Sequence, residues 1–404
     1  MKNCIICNGE IIKFLSLGQM PIANAFLKKD DLKNPEFKFE LAVGFCEKCT
    51  MVQLIDRVNK RVMFNENYAY FSSVSKTMEE HFKNFSAELN NRFLGNEENL
   101  LVVEIGCNDG IMLKNFNQEK IKSLGIEPSK NVADAAREKG LEVINNFFDE
   151  SLAKEILKTK GNAKVIYAAN VICHIESLHE LAKGIKLLLK KDGIFVFEEP
   201  YIIDIIEKNA YDQIYDEHVF YFSATSLRNF FSMYDMEIFE VYNQSTHGGS
   251  MRYYVCNKGS YKITDSVYKC LENEEKNSLD KLETYNQFAK NVEKSKIMLV
   301  KLLKEIKSQG KSIVGYGASS KGTIVLNYCN IGNDMIEYIT DTTPTKQGLY
   351  SPGMHIPIIS PEEFYKNTPD YALLMVWNYA KEIKEKEKDK NVKFIVHIPY
   401  AKVI

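Results

Sequence analysis

The densest chemistry in the chain lies in the run Tyr215-Asp216-Glu217-His218-Val219-Phe220-Tyr221-Phe222, which sets two carboxylates and an imidazole among aromatic residues. Histidine titrates near neutrality, so His218 can remove a proton and later return it. A neighbouring carboxylate can orient its ring and stabilise the imidazolium. The run follows Gly193-Ile-Phe-Val-Phe-Glu-Glu-Pro-Tyr201, which reads as a sheet strand, and α/β sites collect at strand ends. Two more histidines stand at expected strand ends: His174 in Asn170-Val-Ile-Cys-His174, and His247 in Thr246-His247-Gly248-Gly249. His81, His179, His355 and His397 lack such a setting and read as structural or surface residues. A packed structural role is the alternative for His218 too.

Cys4-Ile-Ile-Cys7 and Cys46-Glu-Lys-Cys49 are two C-x-x-C knuckles separated by 38 residues. Each knuckle turns two thiolates to one side of a tight turn, and two knuckles complete a tetrahedral sulfur site for zinc. With four thiolates and no open position, that zinc is expected to be structural. The stretches IIKFLSLG and KFELAVGFC between the pairs read as small strands around the metal. Cys107, Cys173, Cys256, Cys270 and Cys329 are scattered singly and read as buried apolar residues. An odd total of 9 cysteines gives no support to a disulfide framework.

Leu101-Val-Val-Glu104-Ile-Gly106-Cys-Asn108-Asp109-Gly110 ends a hydrophobic strand in E-x-G-x-x-D-G, a turn where glycine allows positive φ or close approach of a ligand. Further on, a second strand ends in Gly125-Ile-Glu127-Pro128, where a carboxylate can accept hydrogen bonds from both ribose hydroxyls of a nucleoside. Asparagine at position 108 departs from the G-x-G-x-x-G fingerprint, so a nicotinamide cofactor fits poorly. Turn and acid together resemble the class I S-adenosylmethionine-dependent methyltransferases. That resemblance implies that Glu104 to Gly110 wrap the methionine part and Glu127 holds the ribose. The alternative is an α/β core with an ordinary turn. A later loop, Gly315-Tyr-Gly317-Ala-Ser-Ser320-Lys321-Gly322, again follows a strand and opens a helix, so loop amides and a lysine can hold a diphosphate. Ser320 replaces its third glycine, and a domain with no ligand of its own is the alternative.

These residues need elements to hold them. From Leu101 onward, β-like runs (LLVVEIG, IKSLGIEP, LEVINNFF, KVIYAANVI, GIFVFEEPY) alternate with helical ones, which predicts a mostly parallel α/β sheet. HGGSMRYYVC reads as a late strand. Met78, His81, Phe82, Phe85 and Leu89 share one helical face. Residues 265–310 read as a helical connector, and a second α/β unit starts at Lys311. The run KEIKEKEKDK reads as a solvated helix face. The expected divisions are a zinc module (1–64), a helical lead-in and methyltransferase domain (65–260), the connector (261–310) and a Rossmann-like domain (311–404). Of 404 residues, 52 are basic and 54 acidic, for a net charge of −2, so no basic surplus exists to neutralise a nucleic acid. Without a signal-like or spanning apolar run, the expectation is a cytoplasmic protein with no membrane partner.

The ordered succession of C-x-x-C pairs, YAYFSS, EIGCNDG, GIEPS, NVICHI, FEEPY, YDEHVFYF, THGGSMR, GYGASSKG and PTKQGLYSPGMHIPI is similar to the sugar C-methyltransferases, which act on nucleotide-activated keto-deoxysugars. The likeness covers nearly the whole chain. It implies an amino-terminal zinc module, a central S-adenosylmethionine-binding domain and a carboxy-terminal Rossmann-like domain for the nucleotide half of the substrate. It makes His218 the base, with Tyr215 and Glu217 around it, His174 as another active-site group, and one of Tyr68 or Tyr70 entering from the amino-terminal part. Asn170 joins the cofactor site, while His247, Gly317, Lys321, Lys346 and Tyr350 become substrate contacts. The family often has histidine where Asp216 stands, which bears on the particular sugar more than on the reaction.

A keto sugar suits this inventory. A sugar carbon attacks a methyl sulfonium only with carbanion character, which a neighbouring ketone supplies through an enolate. The protein must then provide a base, donors to the oxygen and alignment. The expected reaction is methyl transfer to a carbon of a 4-keto-6-deoxysugar, at C3 by preference or at C5. An O-methyltransferase, a zinc-ribbon nucleic-acid binder and a non-catalytic sugar-nucleotide binder are the competing readings. Oligomeric state is not legible in the sequence.

Overall fold

The computed structural model describes residues 2–59, 63, 71–74, 76–95, 97–116 and 120–404. Around the first cysteines, β1 (Ile12–Pro21) pairs antiparallel with β2 (Lys38–Phe45), and β2 with β3 (Val52–Leu54). These are the two stretches expected to be strands, extended by a third.

Seven strands build the central sheet. They are β4 (Leu100–Ile105), β5 (Ile121–Ile126), β6 (Val143–Ile144), β7 (Ala163–Ala169), β8 (Leu189–Pro200), and, after a break, β10 (Met236–Gln244) and β11 (Ser250–Asn257), in the order β10-β11-β8-β7-β4-β5-β6. All pairs from β6 to β8 are parallel, and β11 runs antiparallel to both its neighbours. Every residue of β4 is buried, as a strand covered by helices on both faces requires. From β4 the chain winds first to one side (β5, β6) and then to the other (β7, β8), which opens a crevice beyond the carboxyl ends of these strands. The expected strand in LEVINNFF shrinks to Val143–Ile144, because the chain then turns to wall the crevice. β10, an edge strand interrupted by Glu237 and Glu240, lies outside the expected strands.

In the segment between β8 and β10, β9 (Phe220–Tyr221) does not join the central sheet. It pairs with β3 and becomes the fourth strand of the amino-terminal sheet. The run that holds His218 is therefore stitched into the cysteine module.

The expected connector is two helices, Asp265–Lys276 and Leu282–Ser308, the second with Tyr285, Phe288, Val292, Leu299, Leu303 and Ile306 buried along one stripe. It is packed, not a free linker: Tyr285 stacks on Phe45, with ring centroids 4.6 Å apart, and lies 5.1 Å from Phe14. Beyond it, β12 (Ile313–Tyr316), β13 (Ile339–Thr340), β14 (Ile358–Ile359), β15 (Tyr371–Leu374), β16 (Lys393–Val396) and β17 (Lys402–Val403) form a second Rossmann-like sheet in the order β14-β13-β12-β15-β16-β17. It too winds outward from a central strand, β12. The charged run after Tyr379 is less solvated than expected: Ile383 and Glu387 are buried, and Glu387 accepts hydrogen bonds from the hydroxyls of Tyr316 and Tyr365. Among the described residues, no helix is long and apolar enough to cross a membrane.

Candidate active site

The crevices of the two parallel sheets open into one cavity of about 650 Å³. Its walls come from all three parts of the chain: Asn24, the ends of β4, β5 and β7, the Tyr215–His218 run, and the loops after β12, β13 and β15.

His218 is one of its lining residues. Its Nδ1 is 2.9 Å from the carbonyl oxygen of Gln213. A carbonyl only accepts, so Nδ1 carries the proton and Nε2 keeps the lone pair that a base needs. Burial, reinforced by His174, holds the ring well below its ordinary pKa, so it is neutral at neutral pH. Tyr215 packs on it with ring centroids 4.0 Å apart, and His174 stacks at 5.2 Å. The surrounding protein holds His174 down to about 4. Glu199 fixes the His174 turn by accepting the amides of Val171 and Ile172 at 3.0 and 2.6 Å.

The neighbouring carboxylates do not orient the imidazole as the sequence led us to expect. Asp216 accepts the backbone N–H of Ala23 at 3.0 Å, and Glu217 accepts the side-chain amide of Asn24 at 2.6 Å. A backbone carbonyl does the orienting, and the carboxylates anchor the amino-terminal module, with Glu217 still lining the cavity. Tyr68 and Tyr70 lie outside the described residues.

On the β4–β5 side, Gly106, Asn108, Glu127 and Asn170 line the cavity. Gly106 adopts φ 71°, and an added Cβ would meet Val171 at 2.4 Å. Glu127 accepts the amides of Asn108 and Ser129 at 3.0 and 2.8 Å, which aims the carboxylate while leaving further lone pairs for a diol. With Asn146, Phe147 and Asp149 beyond it, this donor and acceptor set fits the nucleoside of S-adenosylmethionine. Glu104, Asp109 and Gly110 do not reach the cavity. Glu104 is turned into the core, where it accepts the hydroxyl of Tyr167 at 2.6 Å, because successive side chains of a strand alternate faces. Asp109 receives the amide of Ser73 and the ammonium of Lys139, and Gly110 packs against Leu141.

On the opposite side, Lys321 and Lys346 line the cavity, and burial lowers the pKa of both. Lys321 donates to the carbonyl of His247 at 3.3 Å, and Lys346 to that of Ala318 at 2.7 Å. His247 lines the same wall with φ 56°, and burial beside Lys321 holds it down to about 4. Gly317 and Tyr350 are not wall residues. Gly317 supplies the φ 89° turn against Val376, and Tyr350 makes two backbone hydrogen bonds to Leu27, tying this domain to the amino-terminal module. Asp341, Asn378, Asn24 and Gln213 line the cavity without having been singled out in the sequence. Asp341 had a signal, an acid at the end of IEYITD that now accepts the amide of Ala318. Asn24 had none, since its place depends on a contact across the chain.

The sulfurs of Cys4, Cys7, Cys46 and Cys49 all lie within 4.8 Å of one another, Cys4 3.6 Å from Cys49 and Cys7 3.5 Å from Cys46. Both knuckles close alike, through Asn8 N–H to the Cys4 carbonyl and Thr50 N–H to the Cys46 carbonyl, with Asn8 and Thr50 at positive φ. Four convergent thiolates, with no fifth donor grouped with them among the described residues, fit a structural zinc ion.

Comparison with known proteins agrees with this division of labour. Residues 4–64 match the family model of a zinc binding domain, 78–241 that of a methyltransferase domain and 245–399 that of a C-methyltransferase C-terminal domain. The C-methyltransferase NovU of Streptomyces niveus is 32% identical over 409 residues, spanning 100% of this chain and 97% of that protein. Solved structures similar to part of the chain include S-adenosylmethionine-dependent methyltransferases from Anabaena variabilis (18% identical, 44% of this chain and 84% of that one, TM-score 0.35) and Clostridium acetobutylicum (12%, 45% and 92%, 0.33).

Proposed function

The chain belongs to the S-adenosylmethionine-dependent C-methyltransferases, and from that premise we propose that it methylates a nucleotide-activated 4-keto-6-deoxysugar at a carbon flanking the ketone, C3 by preference and C5 otherwise. The observation that carries this reading is the single cavity shared by Glu127, His218 and the lysines Lys321 and Lys346. A carboxylate suited to a ribose, a neutral imidazole and two ammonium groups suited to a diphosphate match one substrate pair. The working division remains residues 1–64, 65–260, 261–310 and 311–404, supported by the three sheets.

Bound S-adenosylmethionine supplies the electrophilic methyl group. Residues of the chain do the rest. Nε2 of His218 removes the proton next to the ketone, and the burial that keeps the ring neutral makes this nitrogen available. Tyr215, packed against the ring, and Glu217, pinned by Asn24, confine the sugar beside it. Lys321 and Lys346 hold the diphosphate far from the reacting carbon, so binding energy from a remote group aligns the sugar.

The test is a panel of thymidine and guanosine diphosphate 4-keto-6-deoxysugars incubated with methyl-labelled cofactor, the products read by mass spectrometry and NMR. The expected product gains one methylene unit, with the label bonded to carbon. A label on oxygen, or transfer to none of the panel, overturns the sugar assignment.

A further inference from the structure

Gln213 stands five residues before His218 and touches the base through its backbone carbonyl alone. Its side chain does something else. The residue is 1% exposed and lines the cavity, yet its amide nitrogen Nε2 is buried with no hydrogen-bond partner among the described residues. Interior amide groups are nearly always paired, so an orphan donor at the foot of a base needs a reason. Looseness of the chain is not that reason. Residues Tyr211–Gln213 form a 3-10 turn, and Gln213 N–H is bonded to Ala210. The adjacent Asp212 is fully buried and accepts the indole N–H of Trp377 at 2.7 Å and Nε2 of His397 at 3.0 Å. The backbone is clamped while the amide nitrogen is left without a bond, so turning an N–H toward the cavity breaks none.

We propose that Gln213 is a catalytic residue whose side-chain amide donates an N–H to the substrate's ketone oxygen and to the oxyanion formed as His218 takes the neighbouring proton. This rests on the keto-sugar reading above. In the step, the carbon–hydrogen bond breaks and its proton goes to Nε2 of His218. The electron pair forms a carbon–carbon double bond, and the carbonyl π pair moves onto the oxygen that faces Gln213. One residue thus serves both ends of the enolisation, its carbonyl setting the tautomer of the base and its amide meeting the charge. Once turned toward the ketone, a donor carried on a clamped backbone needs little further reorganisation as charge develops.

The test is solvent-deuterium incorporation next to the ketone of thymidine and guanosine diphosphate 4-keto-6-deoxyhexoses, in wild type, Q213L, Q213E and H218N. Q213L is expected to exchange about 10²–10³-fold more slowly, the loss typical of one oxyanion donor, with zinc content and calorimetric cofactor affinity unchanged. In Q213E the ionised carboxylate repels the oxyanion while the protonated acid donates to it, so its rate relative to wild type rises as pH falls. That pH response also decides the matter should Q213L fail to fold. Wild-type exchange in Q213L, or a flat pH ratio in Q213E, overturns the assignment. Undiminished exchange in H218N overturns His218 as the base and this proposal with it, whereas no exchange in wild type overturns the keto-sugar reading as well.

Discussion

The side-chain amide of Asn24 donates to a carboxylate oxygen of Glu217 at 2.6 Å, across 193 positions of sequence. The preceding residue is held twice more: Ala23 N–H donates to Asp216, and its carbonyl accepts the hydroxyl of Thr323. Two residues of the cysteine module thus sit at the joint where the central and carboxy-terminal sheets share their cavity. Leu54 N–H reaches the carbonyl of Val219, directly after His218, and β3 pairs with β9. The small module is a wall of the shared cavity.

Asn24→Ala should lower kcat/KM about 10- to 100-fold. Hydrogen bonds to a charged group contribute about 1.5–3 kcal/mol, and a decade of rate corresponds to about 1.4 kcal/mol. Asn24→Asp should be worse, because two carboxylates would face each other. Steady-state kinetics checks this, with cofactor affinity expected to stay at the wild-type value.

Removing zinc should disable the base without touching the central sheet. Chelation, or Cys46→Ser, loosens the knuckle whose Cys46 N–H bonds to the carbonyl of Met51, just before β3. Hydrogen exchange should quicken at Val52–Leu54 and Phe220–Tyr221 together, while β4 stays protected. Protection that persists at Phe220–Tyr221 in zinc-free protein would contradict the coupling.

The acid limb of kcat/KM should lie below pH 6.5. A histidine whose pKa is depressed stays unprotonated as pH falls through its ordinary value, so activity persists there and is lost only lower down. Lys321 contributes to this depression, so Lys321→Gln should move the limb upward toward 6.5. A pH–rate profile of both proteins decides it.

Glu127→Ala and Lys346→Ala should separate the two ligands. The first removes an acceptor for the ribose diol and should weaken cofactor binding about 10- to 100-fold by calorimetry. The second should raise KM for the sugar nucleotide and leave cofactor binding alone. A shared effect on both ligands would place the lysine elsewhere.

Much of this site was legible because local chemistry is written in short segments. The C-x-x-C knuckles, the glycine turn at Gly106 and the acid at Glu127 each depend on a few consecutive residues, and the last two lie at the strand ends where the sequence reading puts them. Glu104 and Asp109 misled for a reason of the same kind. A motif names residues near a turn but does not say which face of the strand each side chain takes, and Glu104 faces the core.

Residue types and periodicity were enough to indicate the two α/β sheets and the thiolate cluster, while the role of His218 came from the family resemblance. The sheets and the cluster follow from alternation of apolar runs and from fixed spacings, which act over a few residues. What only the folded chain decided is long-range. β9 stays out of the central sheet to complete the amino-terminal one, Asp216 and Glu217 turn from the imidazole to Ala23 and Asn24, and the carbonyl of Gln213 orients the His218 ring. Such pairings depend on which buried polar groups meet once the sheets have packed, and a buried donor takes the nearest acceptor regardless of its distance along the chain.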